Sequence, residues 1–382
     1  MSAPRILLLV THLMGSGHLV RILAVARALQ AQGAEPVVIS GGRPLAHVET
    51  GGVRVVQLPP LSSDGLNYKT LLDQDGRPAS EAYWSAREAR IREVMAERPP
   101  AALVTELYPL GRRNMEREFR AAIAARPAGC ALIGSVRDVM EPPSDPRRVA
   151  QALERAAPYD ALLVHGDARV IALEASWPGP DLGAAIPPEL APRLRYVGYA
   201  TPPAPAPDAL SRDAPGAGEV LVATGGGAIG RRLLEIAARA AALSPLSWRL
   251  RVGGADAASV CAALRPLGQA VVEPAAPDFR LRLSRAACAV TLSGYNTAVE
   301  LALSGTPGLL TPMEEGGERE QLIRAQAFAR LPGLEMARIA ALDPEGLAAR
   351  VDALATRART PPSLQADGGV RAAQEILRLA GG

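Results

Sequence analysis

Aromatic residues and lysine are scarce in this 382-residue chain, and both scarcities limit what it can bind. Aromatics make up 3% of the sequence, too few for the stacking platforms that hold single-stranded nucleic acid. Lys69 is the single lysine, and 42 basic against 39 acidic residues give a net charge of only +3. A dedicated nucleic-acid binder has a strongly basic surface, so we expect no nucleic-acid partner.

Cysteine and histidine are also few. Cys130, Cys261 and Cys288 are odd in number and form no C-x-x-C pair, so we expect buried, reduced thiols in a cytoplasmic protein. The four histidines show no metal-ligand spacing. We therefore expect neither a metal site nor a cofactor.

Long apolar runs are missing as well, and no stretch approaches the about 20 residues of a transmembrane helix. The first run, Ile6–Val10, is shorter than the apolar segment of a signal peptide, about 7–15 residues, and no cleavage site follows it. It predicts a buried first strand. Peripheral contact with the inner face of a membrane stays open, because it depends on a surface patch.

What the chain does have is a regular alternation of short apolar runs with longer amphipathic stretches. Continuous apolar strands separated by helices predict parallel sheets covered on both faces. In the first half the predicted strands are Arg5–Thr11, Pro36–Ser40, Arg54–Leu58, Ala101–Thr105, Ala131–Ser135 and Ala161–His165, and the predicted helices are Leu19–Gln32, Ser80–Ala96, Asn114–Ala125 and Pro146–Ala156.

Residues 201–217, TPPAPAPDALSRDAPGA, interrupt this alternation. So much proline favours an extended connector. We predict an α/β protein with a Rossmann-like domain over 1–200, a linker over 201–217, a second Rossmann-like domain over 218–365, and a C-terminal helix within 366–382 that packs back on the first domain. Ligands of such sheets bind beyond the carboxyl ends of the strands, which here predicts a cleft between the domains.

The first glycine loop, THLMGSGH, joins the first strand to the first helix. Gly15 and Gly17 allow a tight turn and close approach of a ligand to the backbone. His18 is a candidate general base, because the pKa of imidazole lies near neutral pH; a capping or exposed residue is the alternative. The third glycine of G-x-G-x-x-G is absent, which disfavours NAD or FAD.

The second glycine loop, Thr224–Gly227, follows the first strand of the second domain. Gly225, Gly226 and Gly227 expose backbone amides to a diphosphate, or else form a turn needed for close packing. No Gly-Lys-Ser/Thr follows, which disfavours an ATPase.

The most informative segment is SGYNTAVE, which follows strand Cys288–Leu292 and opens a helix. Donors at a helix N-terminus suit a diphosphate. Glu300 lies two turns along the same helix face, where its carboxylate can accept both hydroxyls of a ribose. The predicted diphosphate residues are Ser293, Gly294, Tyr295, Asn296 and Thr297.

A fourth segment, EEGGEREQ, precedes the helix predicted over Glu318–Arg330. Gly317, Glu320 and Gln321 are candidates to read sugar hydroxyls. The alternative is an acidic first turn that complements the helix dipole.

The last two segments resemble the C-terminal domain of family-28 glycosyltransferases, which include the enzyme that adds N-acetylglucosamine to the peptidoglycan lipid precursor. Ser293, Gly294, Thr297 and Glu300 match the family's Ser-Gly-x-x-Thr-x-x-Glu pattern without a gap. Over nearly its full length the chain is similar to a bacterial group of predicted glycosyltransferases related to that enzyme. The segments ELYPLGRR (106–113), SVRD (135–138), VHGD (164–167) and SGYNT (293–297) carry that likeness.

The resemblance implies a GT-B fold, an inverting mechanism without a catalytic metal, and a nucleoside-diphosphate sugar donor, by family default a UDP-sugar. It puts Glu300 on the donor ribose, 294–297 at the diphosphate, and Glu320 or Gln321 at the sugar. The loop after strand Gly308–Thr311 is longer than in the peptidoglycan enzyme. The N-terminal half of this chain also lacks that enzyme's acceptor segments. The acceptor therefore stays open.

In the reaction we expect, His18 deprotonates an acceptor hydroxyl, with His12 as the alternative base. Asp138 and His165 end strands, so they either line the cleft or serve as turn and capping residues. Glu106 and Arg112 either contact the acceptor or form a buried ion pair. Two other function classes suit the same architecture: a sugar-nucleotide epimerase or hydrolase, and a non-catalytic nucleotide-sugar-binding protein.

Overall fold

The computed structural model describes residues 3–13, 15–45, 48–63, 70–183, 185–201, 216–225, 230–314 and 318–381. The chain forms two compact units. The first comprises residues 1–201 and 365–382, and the second residues 202–364. Most of the predicted linker, residues 202–215, lies outside the described residues.

The first unit contains a seven-stranded sheet of order β3-β2-β1-β4-β5-β6-β7, and every strand pair in it is parallel. Its strands are β1 (Arg5–Val10), β2 (Glu35–Gly42), β3 (Arg54–Leu61), β4 (Ala102–Glu106), β5 (Ala131–Arg137), β6 (Ala161–His165) and β7 (Leu194–Tyr196). Its helices are α1 (Gly17–Ala31), α2 (Glu81–Glu97), α3 (Glu116–Ala124), α4 (Pro146–Ala156) and α11 (Gly368–Ala380).

Helices cover both faces of this sheet, which explains why β1 is apolar at every position after Arg5. Leu7 and Leu9 pack in one core with residues of α2, α3 and α4. Ile6, Leu8 and Val10 pack in the opposite core with residues of α1 and α11. The C-terminal helix α11 therefore belongs to the first unit, where it packs on α1.

The second unit contains a six-stranded parallel sheet of order β10-β9-β8-β11-β12-β13. Its strands are β8 (Val220–Ala223), β9 (Trp248–Val252), β10 (Val271–Pro274), β11 (Cys288–Leu292), β12 (Gly308–Thr311) and β13 (Leu334–Met336). Its helices are α5 (Arg231–Ala240), α6 (Ala257–Leu264), α7 (Phe279–Leu283), α8 (Tyr295–Ser304), α9 (Glu320–Phe328) and α10 (Pro344–Ala355).

The two Rossmann-like units confirm the predicted α/β fold class. The three cysteines are buried and free, as predicted. None of the described helices has the length and apolarity needed to cross a bilayer. Among the residues that the structure describes, no group of three or more His, Cys, Asp or Glu side chains could hold a metal ion.

Candidate active site

Each sheet has one point where the strand order reverses direction. In the first unit the chain builds β1, β2 and β3 to one side and then returns to place β4 on the other side of β1. In the second unit the same reversal lies between β8 and β11. Ligands of open parallel sheets bind beyond the carboxyl ends of the strands at such points. Three of the four predicted segments follow a strand at one of these points: THLMGSGH follows β1, Thr224–Gly227 follows β8, and SGYNTAVE follows β11.

His18 lies in the first turn of α1, because the helix begins at Gly17. Gly15 has φ +63°, a conformation that favours glycine, so the tight turn is confined to the residues before the helix. The Nδ1 atom of His18 lies 3.1 Å from Glu106 Oε1 at the end of β4. Because a carboxylate only accepts hydrogen bonds, this contact puts a proton on Nδ1 and leaves a lone pair on Nε2.

Arg21, one turn after His18, donates to the same Glu106 oxygen. Its Nη2 atom also lies 3.3 Å from His18 Nδ1, and the carboxylate is the acceptor that both groups share. Arg21 and Glu106 are fully buried, whereas the His18 side chain keeps 14% of its surface exposed. Of the two alternatives for Glu106, the structure thus has a buried ion pair, and that pair also holds the imidazole.

The surroundings of His18 favour a neutral imidazole. Burial lowers its pKa well below the usual value, and the guanidinium groups of Arg112, Arg137 and Arg21 lower it further. A base must be unprotonated to accept a proton, so His18 is in the required state at neutral pH.

His12, the alternative base, is 3% exposed. Its Nε2 atom donates to the carbonyl of Arg43 at 2.8 Å. The lone pair is therefore on Nδ1, which is buried and has no hydrogen-bond partner among the described residues. A lone pair enclosed in this way is poorly suited to take a proton from an incoming hydroxyl.

The segment after β4 has an unusual backbone. Leu107 (φ 63°) and Arg112 (φ 56°) are the non-glycine residues with positive φ in the described part of the chain. Such conformations persist where the surrounding structure enforces them, and they cluster at functional sites. Here the Leu107 amide donates to the Ser135 carbonyl at 2.8 Å, which fixes the residue next to Glu106.

Asp138 and His165 are fully buried. Asp138 Oδ1 accepts from the Val139 amide at 2.8 Å, and His165 Nε2 lies 2.9 Å from the Ser135 hydroxyl oxygen. These contacts favour the turn and structural alternative for both residues over a role in lining an open site.

In the second unit, Gly294 is the N-cap residue of α8. Its backbone is ordinary (φ −60°, ψ 153°), and no described atom lies within 4 Å of where a Cβ would stand. Neither backbone conformation nor packing therefore requires glycine here. The first-turn amides of α8 therefore lie beside an open space, and the Cβ of an alanine at position 294 would project into that space.

Two neighbours of Gly294 have structural contacts instead of facing that space. Ser293 is fully buried, and its hydroxyl donates to the Gln321 carbonyl at 2.9 Å. Tyr295 is also buried, with the Arg324 guanidinium over its ring at 5.7 Å. Asn296 and Thr297 are partly exposed in the first turn of α8, so they remain as polar groups next to Gly294.

Glu300 lies on α8, and among the described residues its mostly buried carboxylate has only a distant ion-pair contact to offset the loss of water. Its ion-pair partner is Arg280, whose Nε atom is 3.6 Å from Glu300 Oε1, beyond hydrogen-bond distance. Burial raises the pKa of Glu300 and the nearby Arg280 lowers it, and the net result is a pKa of about 7. A buried carboxylate in this state gains from hydroxyl donors.

The start of α9 is tied to the Ser293 segment by Arg324, a fully buried residue that sequence reasoning did not single out. Arg324 donates to the Ser293 carbonyl at 3.0 Å and to Glu320 Oε1 at 2.9 Å. Gln321 accepts from the Met313 amide through its side chain. Glu320 and Gln321 thus lie close to Ser293, as expected if the two segments serve one ligand.

Of the remaining predicted glycines, Gly225 is among the described residues. Gly225 has φ +82° and open space beyond its Cα. Gly226, Gly227 and Gly317 lie outside the described residues.

Comparisons with solved structures identify the fold of the whole chain. The glycosyltransferase of kitacinnamycin aligns with a TM-score of 0.63 at 18% identity, over 100% of this chain and 96% of that one. MurG of Acinetobacter baumannii aligns with a TM-score of 0.59 at 15% identity, over 99% of both chains. This chain has the GT-B fold. Arabidopsis thaliana UGT89C1, solved with UDP, aligns with a TM-score of 0.62 at 14% identity, over 98% of this chain and 94% of that one.

No known protein-family profile matches the sequence. A curated relative in Rhodospirillum centenum is 34% identical over 178 residues, 43% of this chain and 46% of the relative. Another in Mesorhizobium japonicum is 35% identical over 100 residues, 26% of this chain and 27% of the relative. Both are named UDP-N-acetylglucosamine--N-acetylmuramyl-(pentapeptide) pyrophosphoryl-undecaprenol N-acetylglucosamine transferase.

The match thus spans less than half the length of the curated relatives. It confirms the predicted resemblance to the peptidoglycan N-acetylglucosaminyltransferases. The named relatives and structural neighbours are glycosyltransferases, as the sequence predicted.

Proposed function

We propose that this protein is an inverting glycosyltransferase that moves a hexosyl or N-acetylhexosaminyl group from a nucleoside-diphosphate sugar to an acceptor hydroxyl. The observation that carries the proposal is the pair formed by Gly294 and Glu300 on α8. Gly294 leaves room at a helix N-terminus. Glu300 is a mostly buried carboxylate, 14% exposed, whose ion-pair partner Arg280 stays 3.6 Å away.

The N-terminus of α8 suits the donor diphosphate. The first amides of a helix have no intrahelical acceptor, and the helix dipole favours an anion there. No acidic side chain lies in the first turn of α8, and no side chain caps it. A diphosphate would therefore meet donors without meeting a competing negative charge.

Glu300 suits the ribose of the same nucleotide. Glu300 lies five residues after Tyr295, the first residue of α8, which is roughly 8 Å along the helix at 1.5 Å per residue. That distance matches the spacing between a diphosphate and its ribose. Both ribose hydroxyls could donate to one carboxylate. The curated relatives are named for UDP-N-acetylglucosamine, so UDP-sugars are the donors to test first. Glu320 and Gln321 would then read the sugar.

His18 is the proposed base. The acceptor hydroxyl gives its proton to Nε2 as its oxygen bonds to the anomeric carbon, and the bond from that carbon to the diphosphate oxygen breaks. Glu106 would stabilise the imidazolium that forms at Nδ1–H. The charge on the departing nucleoside diphosphate would be met by backbone amides and the dipole of α8, so we expect turnover to survive a metal chelator.

The test is a two-stage assay on the full chain. Thermal unfolding is first followed with a panel of nucleoside diphosphates, because a ligand at 100 times its Kd stabilises by about 2.7 kcal/mol. The nucleotide that stabilises most selects the donor, which is then incubated with and without candidate acceptors. Transfer to an acceptor supports the proposal. Donor consumption without an acceptor would indicate a hydrolase or epimerase, and binding without turnover a non-catalytic protein.

A further inference from the structure

Helix α7 has two sides with different contacts. Asp278, its N-cap residue, and Arg282 are four residues apart and form an ion pair on one side of the helix. Arg280 lies two residues from each. At about 100° per residue it points to the opposite side, where it meets Glu300 of α8.

On the first side, six charged residues from α7, β9, β10 and the residue before β8 form a closed ring in which each cation contacts two carboxylates. Arg249 of β9 contacts Glu219 at 2.7 Å and Glu273 at 3.0 Å. The ring runs Arg249, Glu219, Arg282, Asp278, Arg251, Glu273 and back to Arg249.

This ring fixes α7, a helix of five residues that has little apolar surface of its own; Leu283 is its one fully buried residue. Single exposed ion pairs add little stability, but a network of partly buried pairs with shared partners restrains its side chains more strongly. Arg251 and Arg249 are 5% and 15% exposed. The ring therefore holds α7 to the sheet and fixes the position from which Arg280 reaches α8.

We propose that Arg280 is a positioning residue of the donor site, which orients the Glu300 carboxylate towards the ribose hydroxyls and preserves its negative charge. The inference rests on the donor site proposed above. The guanidinium is partly exposed, 27% against 14% for Glu300, and at 3.6 Å it does not occupy the carboxylate as a close hydrogen-bonding partner would. The carboxylate oxygens thus remain available to hydroxyl donors.

Among the described residues of the elements around α8, Arg280 is the charged group that acts on Glu300. Helix α9 brings Arg324 and Glu320, which pair with each other near Tyr295 at the start of α8. Strand β11 brings the buried Cys288 thiol. Arg280 opposes the burial that raises the pKa of Glu300, and the net result is a pKa of about 7. Without it, the pKa of Glu300 would rise further.

The experiment measures the affinity of the full chain for UDP and for 2′,3′-dideoxyuridine diphosphate by calorimetry, between about pH 5.5 and 9. Below the pKa of Glu300 the carboxyl is protonated and accepts less well, so wild-type affinity for UDP should fall as pH drops through about 7. In Arg280→Ala that fall should begin at higher pH, with about tenfold weaker UDP binding at pH 7. Arg280→Lys should restore much of the loss.

The dideoxy analogue separates positioning from a general loss of structure, because it cannot donate to Glu300. It should bind equally well to wild type and Arg280→Ala, and Arg239→Ala, an exposed arginine on α5, should bind both ligands as wild type does. An unchanged pH midpoint in Arg280→Ala, or equal losses for both ligands, would overturn the inference. UDP affinity that is unchanged in Glu300→Gln would instead overturn the proposed donor site itself.

Discussion

The Nδ1 atom of His18 lies 3.1 Å from Glu106 Oε1, and this contact links the first turn of α1 to the end of the adjacent strand β4. The two residues are 88 positions apart in sequence. They meet because β1 and β4 are neighbours at the point where the strand order reverses. Arg21 completes the group by pairing with the same carboxylate. The arrangement fixes the imidazole and directs its free lone pair to Nε2.

Replacement of His18 by alanine should lower turnover by about 10²- to 10⁴-fold, the usual contribution of a general base, and leave nucleoside diphosphate affinity nearly unchanged. Initial rates and UDP titrations on the same preparation test this. His12→Asn is the comparison variant, since His12 uses its Nε2 for a backbone carbonyl. A larger rate loss in His12→Asn than in His18→Ala would assign the base to His12.

The pH profile of the maximal rate at saturating donor should be flat around pH 6.5 and fall only at clearly lower pH. The reason is that the pKa of His18 is depressed, so the imidazole stays neutral until the pH is well below the usual pKa of histidine. In Glu106→Gln the imidazolium loses its nearby anion. Its pKa therefore falls further, the acid limb moves to lower pH, and the plateau rate drops by about 10- to 100-fold. A limb that moves to higher pH would contradict this assignment.

Gly294→Ala should separate ligand binding from stability. Alanine fits the backbone and the space at this position, so the free energy of unfolding should change by no more than about 1 kcal/mol. Its methyl group would enter the proposed diphosphate site and weaken UDP binding by about tenfold or more.

Gly305→Ala, at the other end of α8, is the matched control. Its φ of +65° and a Cβ only 2.6 Å from the Pro361 nitrogen predict a larger loss of stability, with UDP affinity retained in the folded fraction. Equal UDP affinity in wild type and Gly294→Ala would mean that no ligand approaches the backbone there.

Glu300→Gln should stabilise the protein at alkaline pH. The pKa of Glu300 is raised to about 7 in the folded chain but lies near 4.3 when unfolded. Between those values the unfolded state loses its proton first, so stability falls as pH rises. Glutamine cannot ionise, so the variant avoids this loss of stability. Its free energy of unfolding at pH 8 should be about 1–3 kcal/mol larger than that of the wild type. The gain should vanish below about pH 4. Chemical denaturation at both pH values checks the sign.

Sequence reasoning recovered much of the fold because the central strands are continuous apolar runs. Strands β6, β11 and β12 and helix α4 have the predicted limits. It missed β7 and β13, which have three residues each and give no measurable periodicity. It also missed α10, although Asp343 caps that helix and Pro344 begins it, a recognisable start signal.

The site was less predictable. The glycine loops and Glu300 follow from local pattern, since each stands beside one strand or helix. Arg21, Arg280 and Arg324 act through residues far away in sequence, and an arginine-rich chain offers no local signal to distinguish them. Ser293 and His165 have the right residue types, but only packing reveals that their side chains are buried.

The most direct measurement is a crystal structure of the full chain with UDP. Our account predicts diphosphate oxygens about 2.7–3.2 Å from first-turn amides of α8, beside Gly294, and both ribose hydroxyls on the Glu300 carboxylate. A nucleotide bound elsewhere, with Glu300 out of contact with its ribose, would contradict the account.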